Sequence, residues 1–375
     1  MPSRPLLIFL VTEDWYFWSH RLPSARAARD AGFEVAVATR VTAHGDRIAA
    51  EGFRLLPLAW KRGSLNPLAA LRDVAAIAGL YRRERPRIVH HVAVKPAVLG
   101  ALAARLAGVP RVVTTLAGLG LSMSGTGARA ALARLVLKGS LALLGRRGVL
   151  VVQNADDLAR LRGGPLAPRD MRLVRGSGVD LERFRPLPEP DGPLTVAQVS
   201  RMLTLKGVPE LVAAVRLARG RGADVRLLLA GEPDPESPAA IPETELRRWT
   251  EEPGIEWLGR VEDVPRLWAR AHVAVLASRG GEGVPKSLLE AAACGRALLA
   301  TDVPGTREVA RDGVNALLVP PGDVEAMAAA LQRLAEDAAL RRRLGAASRG
   351  VVDPAFGEAE VGGRMAALYR ELSSG

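Results

Sequence analysis

Only one cysteine, Cys294, stands among 375 residues, so no disulfide can form within the chain and a reducing compartment is expected. Aromatic residues make up only 4%, and lysine is scarce, with five against 47 arginines. No apolar run approaches the roughly 18 to 20 residues that cross a bilayer. The longest, such as "AVLGALAARLAGV", are broken by arginine. The opening "RPLLIFLV" is too short for a secretory leader and runs into the charged "TEDWYFWSHR", so no leader is expected. There is no Asp-x-Asp pair, and the five histidines form no ligand pattern with the carboxylates, so neither a metal nor another cofactor is expected. A Gly-x-Gly-x-x-Gly turn is missing as well. "GLGLSMSG" lacks the third glycine, which argues against a dinucleotide site.

What is present is a one-sided charge. The net charge is +12, and residues 1–150 carry 22 basic against 8 acidic side chains, which leaves −2 for the remainder. From Arg85 to Ala155 there are ten basic residues and no acidic one. Such asymmetry points to an anionic partner: nucleic acid, an anionic membrane surface or a phosphorylated substrate. A nucleic-acid-binding protein is the competing class, but no helix-turn-helix, zinc or RNP signature accompanies the charge, so nucleic acid is not the expected partner. A compositional bias towards arginine accounts for Arg over Lys, but not for the missing carboxylates.

Short β-branched runs alternate with helix-period segments along the chain. "LLIFLV", "EVAVAT", "RIVHHV", "RVVTTL" and "VLVVQN" are strands of the first half, and "TVAQVS", "DVRLLLAG", "HVAVLAS" and "ALLATD" belong to the second. This alternation predicts parallel sheets covered by helices on both faces. "RPLPEPDGPL", Arg185 to Leu194, holds four prolines in ten residues and reads as the linker. Two doubly wound domains are expected, residues 1–188 and 189–355, with a cleft between them. Ligands would sit beyond the carboxyl ends of the strands.

The second half concentrates candidate chemistry. Arg201 and Lys206 follow the strand "TVAQVS" and precede a helix, a place where a planar guanidinium and a point charge suit a diphosphate. As an isolated pair they also read as solvated loop charges. In "RGGEGVPKSLLEAAACG" the glycines permit a sharp turn and close approach to a ligand, and the helix start at Val284 and Pro285 offers backbone N–H groups to a phosphate oxygen. Glu290, a turn and a half into that helix, can accept two hydrogen bonds from a vicinal diol such as a ribose. Glu282 in the turn can reach a group lying between the domains. The alternatives are a solvent-facing Glu290 and a Glu282 that complements the helix dipole.

In the first half, "VTEDWYFWSHRLP" sets four aromatics in a row, which cannot all face one core. His20 behind them can donate to an oxygen, act as a base, or simply face water. "HHVAVKPAVLG" puts His90, His91 and Lys95 at one strand end, and "TTLAGLG" puts Gly118 and Gly120 at the next, so these positions read as one rim of a cleft. "ARAALARLVLKGSLALLGRRG", Ala128 to Gly148, reads either as a buried helix with snorkelling arginines or as an interfacial helix on anionic lipid.

Three stretches carry a resemblance. "SRGGEGVPKSLLEAAACGRALLATDVPGTREVARDGVNALLVPPGD" resembles the E-x7-E region of family 4 of the retaining glycosyltransferases. "VSRMLTLKGVPELVAA" resembles that family's phosphate loop, and "GSGVDLERFRP" its lead into the second domain. The resemblance implies the GT-B fold, two facing Rossmann-like domains with an inter-domain cleft. It implies a donor diphosphate on Arg201 and Lys206, a ribose on Glu290, a donor sugar at Glu282 and a base near Arg260 and Val261. It also implies a last segment, 356–375, packing back on the first domain.

"DWYFWSHRLP", "HHVAVKPAVLG" and "AGLG" are similar to bacterial enzymes that extend sugars on undecaprenyl diphosphate. That subgroup implies a polyprenyl-diphosphate-linked saccharide acceptor. The expected donor is a UDP-sugar carrying a hexose or N-acetylhexosamine, and the basic first half leads us to expect a cytoplasmic protein peripheral on the inner membrane face. A GT-B-like nucleotide-sugar epimerase is the nearest alternative. One departure is Ala117 before Gly118, where many relatives carry His. The sugar contact then falls to His20 or to backbone, or is absent.

Overall fold

A computed structural model describes residues 4–62, 66–118, 128–143, 145–162 and 168–374. It divides into two units, residues 1–178 with 358–375, and residues 179–357.

The first unit is built on a seven-stranded parallel sheet. Its strands are β1 (Leu6–Glu13), β2 (Glu34–Arg40), β3 (Arg54–Pro57), β4 (Ile88–Val92), β5 (Arg111–Leu116), β6 (Gly148–Val152) and β7 (Asp170–Leu173). The order is β3-β2-β1-β4-β5-β6-β7. The central strands are buried on both faces, and for that reason they read as continuous apolar runs rather than alternating ones. One face packs Ile8, Val89 and Leu150 under the helices Pro67–Glu84, Val94–Ala107 and Ala128–Ala142. The other packs Phe9, Val37 and Val113 against the helices Leu22–Asp30 and Glu358–Ser374.

The second unit holds a six-stranded parallel sheet. Its strands are β8 (Leu194–Val199), β9 (Val225–Ala230), β10 (Ile255–Trp257), β11 (Val273–Leu276), β12 (Ala297–Thr301) and β13 (Ala316–Val319), in the order β10-β9-β8-β11-β12-β13. The winding reverses between β8 and β11, as it does between β1 and β4 in the first sheet. Each reversal opens a crevice at the carboxyl ends of two adjacent strands.

The first domain boundary lies ahead of the proline-rich stretch that the sequence offered as the linker. Val179 and Phe184 are buried in the core of the second unit, and Arg349 donates to the carbonyls of Leu181 and Phe184. Residues 179–188 are therefore part of that domain. Phe356 is likewise buried there, its carbonyl accepting from the Val179 amide at 2.9 Å, and the return to the first domain starts at Glu358. No helix among the described residues is long and apolar enough to cross a membrane.

Candidate active site

The β8/β11 crevice is stitched by close backbone approaches. After β8 the chain runs through Arg201 and a short 3-10 turn, Thr204–Lys206, to Gly207 at φ +67°. A Cβ at Gly207 would lie 1.8 Å from the Ala277 carbonyl oxygen, so only glycine lets this loop seat on the end of β11. Gln198, fully buried in β8, joins the same two loops. Its amide donates to the Lys206 carbonyl at 2.9 Å and its oxygen accepts from the Ala277 amide at 3.2 Å. Gly305 presses on the glycine turn in the same way, since a Cβ there would meet the Gly283 carbonyl oxygen at 1.5 Å.

This scaffold brings Lys206 and Glu282 together. The Lys206 ammonium donates to both carboxylate oxygens of Glu282, at 2.7 and 2.9 Å, and the Ser278 hydroxyl donates to Oε1 at 2.6 Å. Glu282 is only 11% exposed. Burial acts to raise its pKa, but the Lys206 charge, the Lys206 and Ser278 hydrogen bonds and the Arg201 charge outweigh it and hold the carboxyl below its usual value. Glu282 is therefore ionised at neutral pH, next to two cations. Ser278 is positioned by Thr301, whose hydroxyl donates to the Ser278 carbonyl at 2.5 Å.

Arg201 is tied to Asp234, which lies after β9 and is itself buried, at 2.5 Å. The loop after β10 is drawn to the same edge. The Gly231 amide donates to the Gly259 carbonyl at 2.7 Å, and a Cβ on Gly231 would stand 1.8 Å from the Ser200 carbonyl oxygen. Arg260 is exposed and Val261 half-buried in that loop. Val284 and Pro285 are buried, with Pro285 as N-cap of the helix Lys286–Ala293. Glu290 is half-buried on this helix, one and a half turns from its start. Thr306 caps its own turn, donating to the Thr301 and Val303 carbonyls at 2.5 and 2.8 Å.

In the first domain, Phe17 is buried while Trp15, Tyr16 and Trp18 are partly exposed, as four successive aromatics require. His20 ends the helix Asp14–His20, stacked on Tyr16 at 4.4 Å and 2.6 Å from the Ser19 hydroxyl. Lys95 pairs with Asp73 at 3.3 Å, bonds the Lys61 carbonyl and lies over Trp60. Gly118 follows β5 at φ +84°, while Gly120 lies outside the described residues.

The reading of His90 and His91 as rim donors is corrected. Both are fully buried inside β4. His90 bonds the hydroxyls of Tyr369 and Thr115, each at 2.7 Å, and His91 bonds that of Tyr81 at 3.2 Å. Burial pushes His90 well below its ordinary pKa and His91 down to about 3, so both are neutral core residues. Among the described residues, no group of three or more His, Cys, Asp and Glu side chains is placed to hold a metal ion.

A family model described as "Glycosyl transferases group 1" matches residues 193–337, and one described as "Glycosyl transferase 4-like" matches residues 7–145. A D-inositol 3-phosphate glycosyltransferase of Catenulispora acidiphila is 30% identical over 74% of this chain and 70% of its own. The chain is a family 4 glycosyltransferase. An N,N'-diacetylbacillosaminyl-diphospho-undecaprenol alpha-1,3-N-acetylgalactosaminyltransferase of Campylobacter jejuni is 24% identical, over 86% of this chain and 88% of its own.

Two solved structures carry the same fold. Sucrose-phosphate synthase from Thermosynechococcus elongatus gives a TM-score of 0.82 at 21% identity, covering 99% of this chain and 100% of its own. Anabaena HepE, in complex with UDP and glucose, gives 0.78 at 18%, covering 98% and 100%. The fold of this glycosyltransferase is GT-B. Two of its site-supporting residues escaped the sequence reading. Gln198 had a usable signal, a lone amide in the apolar strand "TVAQVS", whereas Asp234 in "EPDPES" had none.

Proposed function

We propose that this glycosyltransferase moves a sugar from a nucleotide diphosphate donor, of the UDP-sugar class, to a polyprenyl-diphosphate-linked saccharide, with retention at the anomeric carbon. The observation that carries the reading is the Lys206–Glu282–Ser278 cluster at the carboxyl ends of β8 and β11. Lys206, Arg201 and the helix start at Val284 and Pro285 stabilise the departing diphosphate, the largest charge the reaction develops, and no metal is required. Glu290 takes the ribose hydroxyls, and Arg260 and Val261 flank the base.

Glu282 orients the sugar and favours positive charge at its ring. The acceptor oxygen bonds to the anomeric carbon on the face from which the diphosphate leaves. The bond from that carbon to the diphosphate oxygen breaks, and the freed oxygen takes the acceptor proton. His20, Lys95 and Gly118 are assigned to the sugar and acceptor side. The donor class is supported by the neighbour solved with UDP, and the acceptor class by the Campylobacter relative, whose name states an undecaprenyl-linked substrate.

We place the enzyme at the cytoplasmic face of an anionic membrane. The helices Pro67–Glu84, Val94–Ala107 and Ala128–Ala142 pack side by side, and among the described residues they expose Leu68, Leu71, Leu106, Leu135 and Val136. Those apolar side chains lie in the same basic half of the chain, a combination that suits an anionic lipid surface.

The test is thermal unfolding with UDP-, GDP- and ADP-sugars, followed by product analysis with a lipid-linked acceptor. UDP-sugars should raise Tm, and both Lys206→Ala and Glu290→Ala should abolish the rise. Unchanged shifts in both variants would sink the site assignment. An altered sugar nucleotide with no acceptor-linked product would replace transfer by epimerisation.

A further inference from the structure

The second domain has a cavity of about 270 Å³ on the edge of its sheet opposite Lys206 and Glu282. It opens at the amino ends of β11 and β12, between His272 and Ala297, and is roofed by the segment around Glu189 and the helix Ala338–Val352. Arg296, Arg341, Arg342 and Arg349 line it, with Glu189 as the only carboxylate of the lining among the described residues. His272 also lines it. Its Nδ1 accepts from the Thr195 amide at 3.0 Å, and burial lowers its pKa, so it adds no fixed charge.

The cations are unequally partnered. Glu189 is shared, its two oxygens accepting from Arg341 at 2.8 Å and Arg342 at 3.2 Å. Arg349 pairs with Asp353 and donates to three backbone carbonyls. Arg296 is 1% exposed, yet among the described residues no carboxylate bonds it. One of its amino groups donates to the Pro188 carbonyl at 2.7 Å, and its Nε has no partner. Arg296 is therefore a buried guanidinium with an unused N–H. The carboxylate whose charge acts on it, Glu189, is already bonded by two other arginines, so Arg296 is less fully compensated than buried ions require. One wall of the cavity is close backbone packing. Gly345 lets the helix Ala338–Val352 pack directly on the Gly295 carbonyl, where a Cβ would stand at 2.6 Å.

We infer that this cavity is a binding site for a small oxyanion of the phosphate class, held by Arg296 and Arg342 and separate from the donor site. The guanidinium fork matches a tetrahedral oxyanion, and the cavity is large enough for a phosphoryl group that arrives alone or on a small organic body.

The experiment follows thermal unfolding of the Lys206→Ala protein, whose donor diphosphate site is disabled, against inorganic phosphate, with ionic strength held constant by chloride. Binding to the folded state alone should give a saturable rise in Tm. Arg296→Met should remove the rise. Should that variant not fold, Arg342→Ala tests the same point at a side chain that is 73% exposed, and should weaken the apparent affinity about tenfold. Glycerol 3-phosphate in a second arm tells a carried phosphoryl group, which would bind more tightly than inorganic phosphate, from the free ion, which would not. A rise that fails to saturate, or that persists unchanged in Arg342→Ala, overturns the inference.

Discussion

The two domains repeat one architecture and use its crevice in opposite ways. At the β1/β4 reversal the buried carboxylates are spent on the domain's own fold. Asp14, fully buried, accepts from the Thr42 and His44 amides at 2.7 and 2.8 Å and from the Thr42 hydroxyl. Burial acts to raise its pKa, and these bonds outweigh it and hold the group ionised. Glu13 takes Arg40. At the β8/β11 reversal a lysine and a glutamate, 76 residues apart in sequence, face each other over glycine turns. A sheet reversal by itself supplies only a place. It becomes a reaction site where opposite charges are held at it by backbone that side chains cannot obstruct.

Single substitutions at the two reversals test this contrast. The largest effect is expected at Glu282. Glu282→Gln removes the negative charge at the donor sugar and should cut kcat by about 100- to 1000-fold, the scale seen when one pre-organised electrostatic group is lost. Asp14→Asn at the first reversal should leave kcat per folded molecule nearly unchanged. Equal losses in the two variants would dissolve the distinction.

Next is Gly207→Ala. Its positive φ and the Ala277 carbonyl in the path of a Cβ should together cost about 2 kcal/mol or more in unfolding free energy and abolish donor-induced stabilisation. Retained donor binding would show that the two loops can separate without consequence. Asp14→Asn itself should cost about 1–3 kcal/mol of stability, read by denaturant unfolding, because buried amides lose a charged acceptor.

The smallest effect concerns pH. His90 and His91 have folded pKa values depressed below 6.5, so the stability they lend is present above pH 6.5 and is lost as pH falls towards their folded values. His272 in the second domain behaves likewise. Glu282 is also depressed, and its contribution is present above about pH 4.5 and lost below as it protonates. Titrating stability downward from pH 7 should therefore show a histidine phase before a carboxylate phase. His91→Leu should flatten the first and Lys206→Met the second.

The sheets were legible in the sequence because strands buried on both faces leave unbroken runs such as "LLIFLV" and "ALLAT". Lys206 and Glu282 were legible because lysine is scarce and because glycines flank the glutamate. Their pairing was not, since it depends on how closely two distant loops approach. His90 and His91 misled for a related reason. They lie at a strand end by position, but β4 is a central strand, and its residues up to Val92 lie within the core. The domain boundary was displaced because proline content marks an extended chain, not the point where two cores part. Phe184 and Arg349 secure that extended chain to the second domain.

The helix Glu358–Ser374 has a consequence for synthesis. It closes one face of the first sheet, where Tyr369 bonds His90 and packs on Phe9 and Phe33. A ribosome makes these residues only after the whole of 179–357. The domain begun first is thus finished last. While the second domain is being made, the first must wait with Phe9, Phe33 and His90 uncovered on that side. Chains halted before Glu358 should carry a folded second domain beside an incomplete first one, the kind of intermediate that chaperones exist to shield.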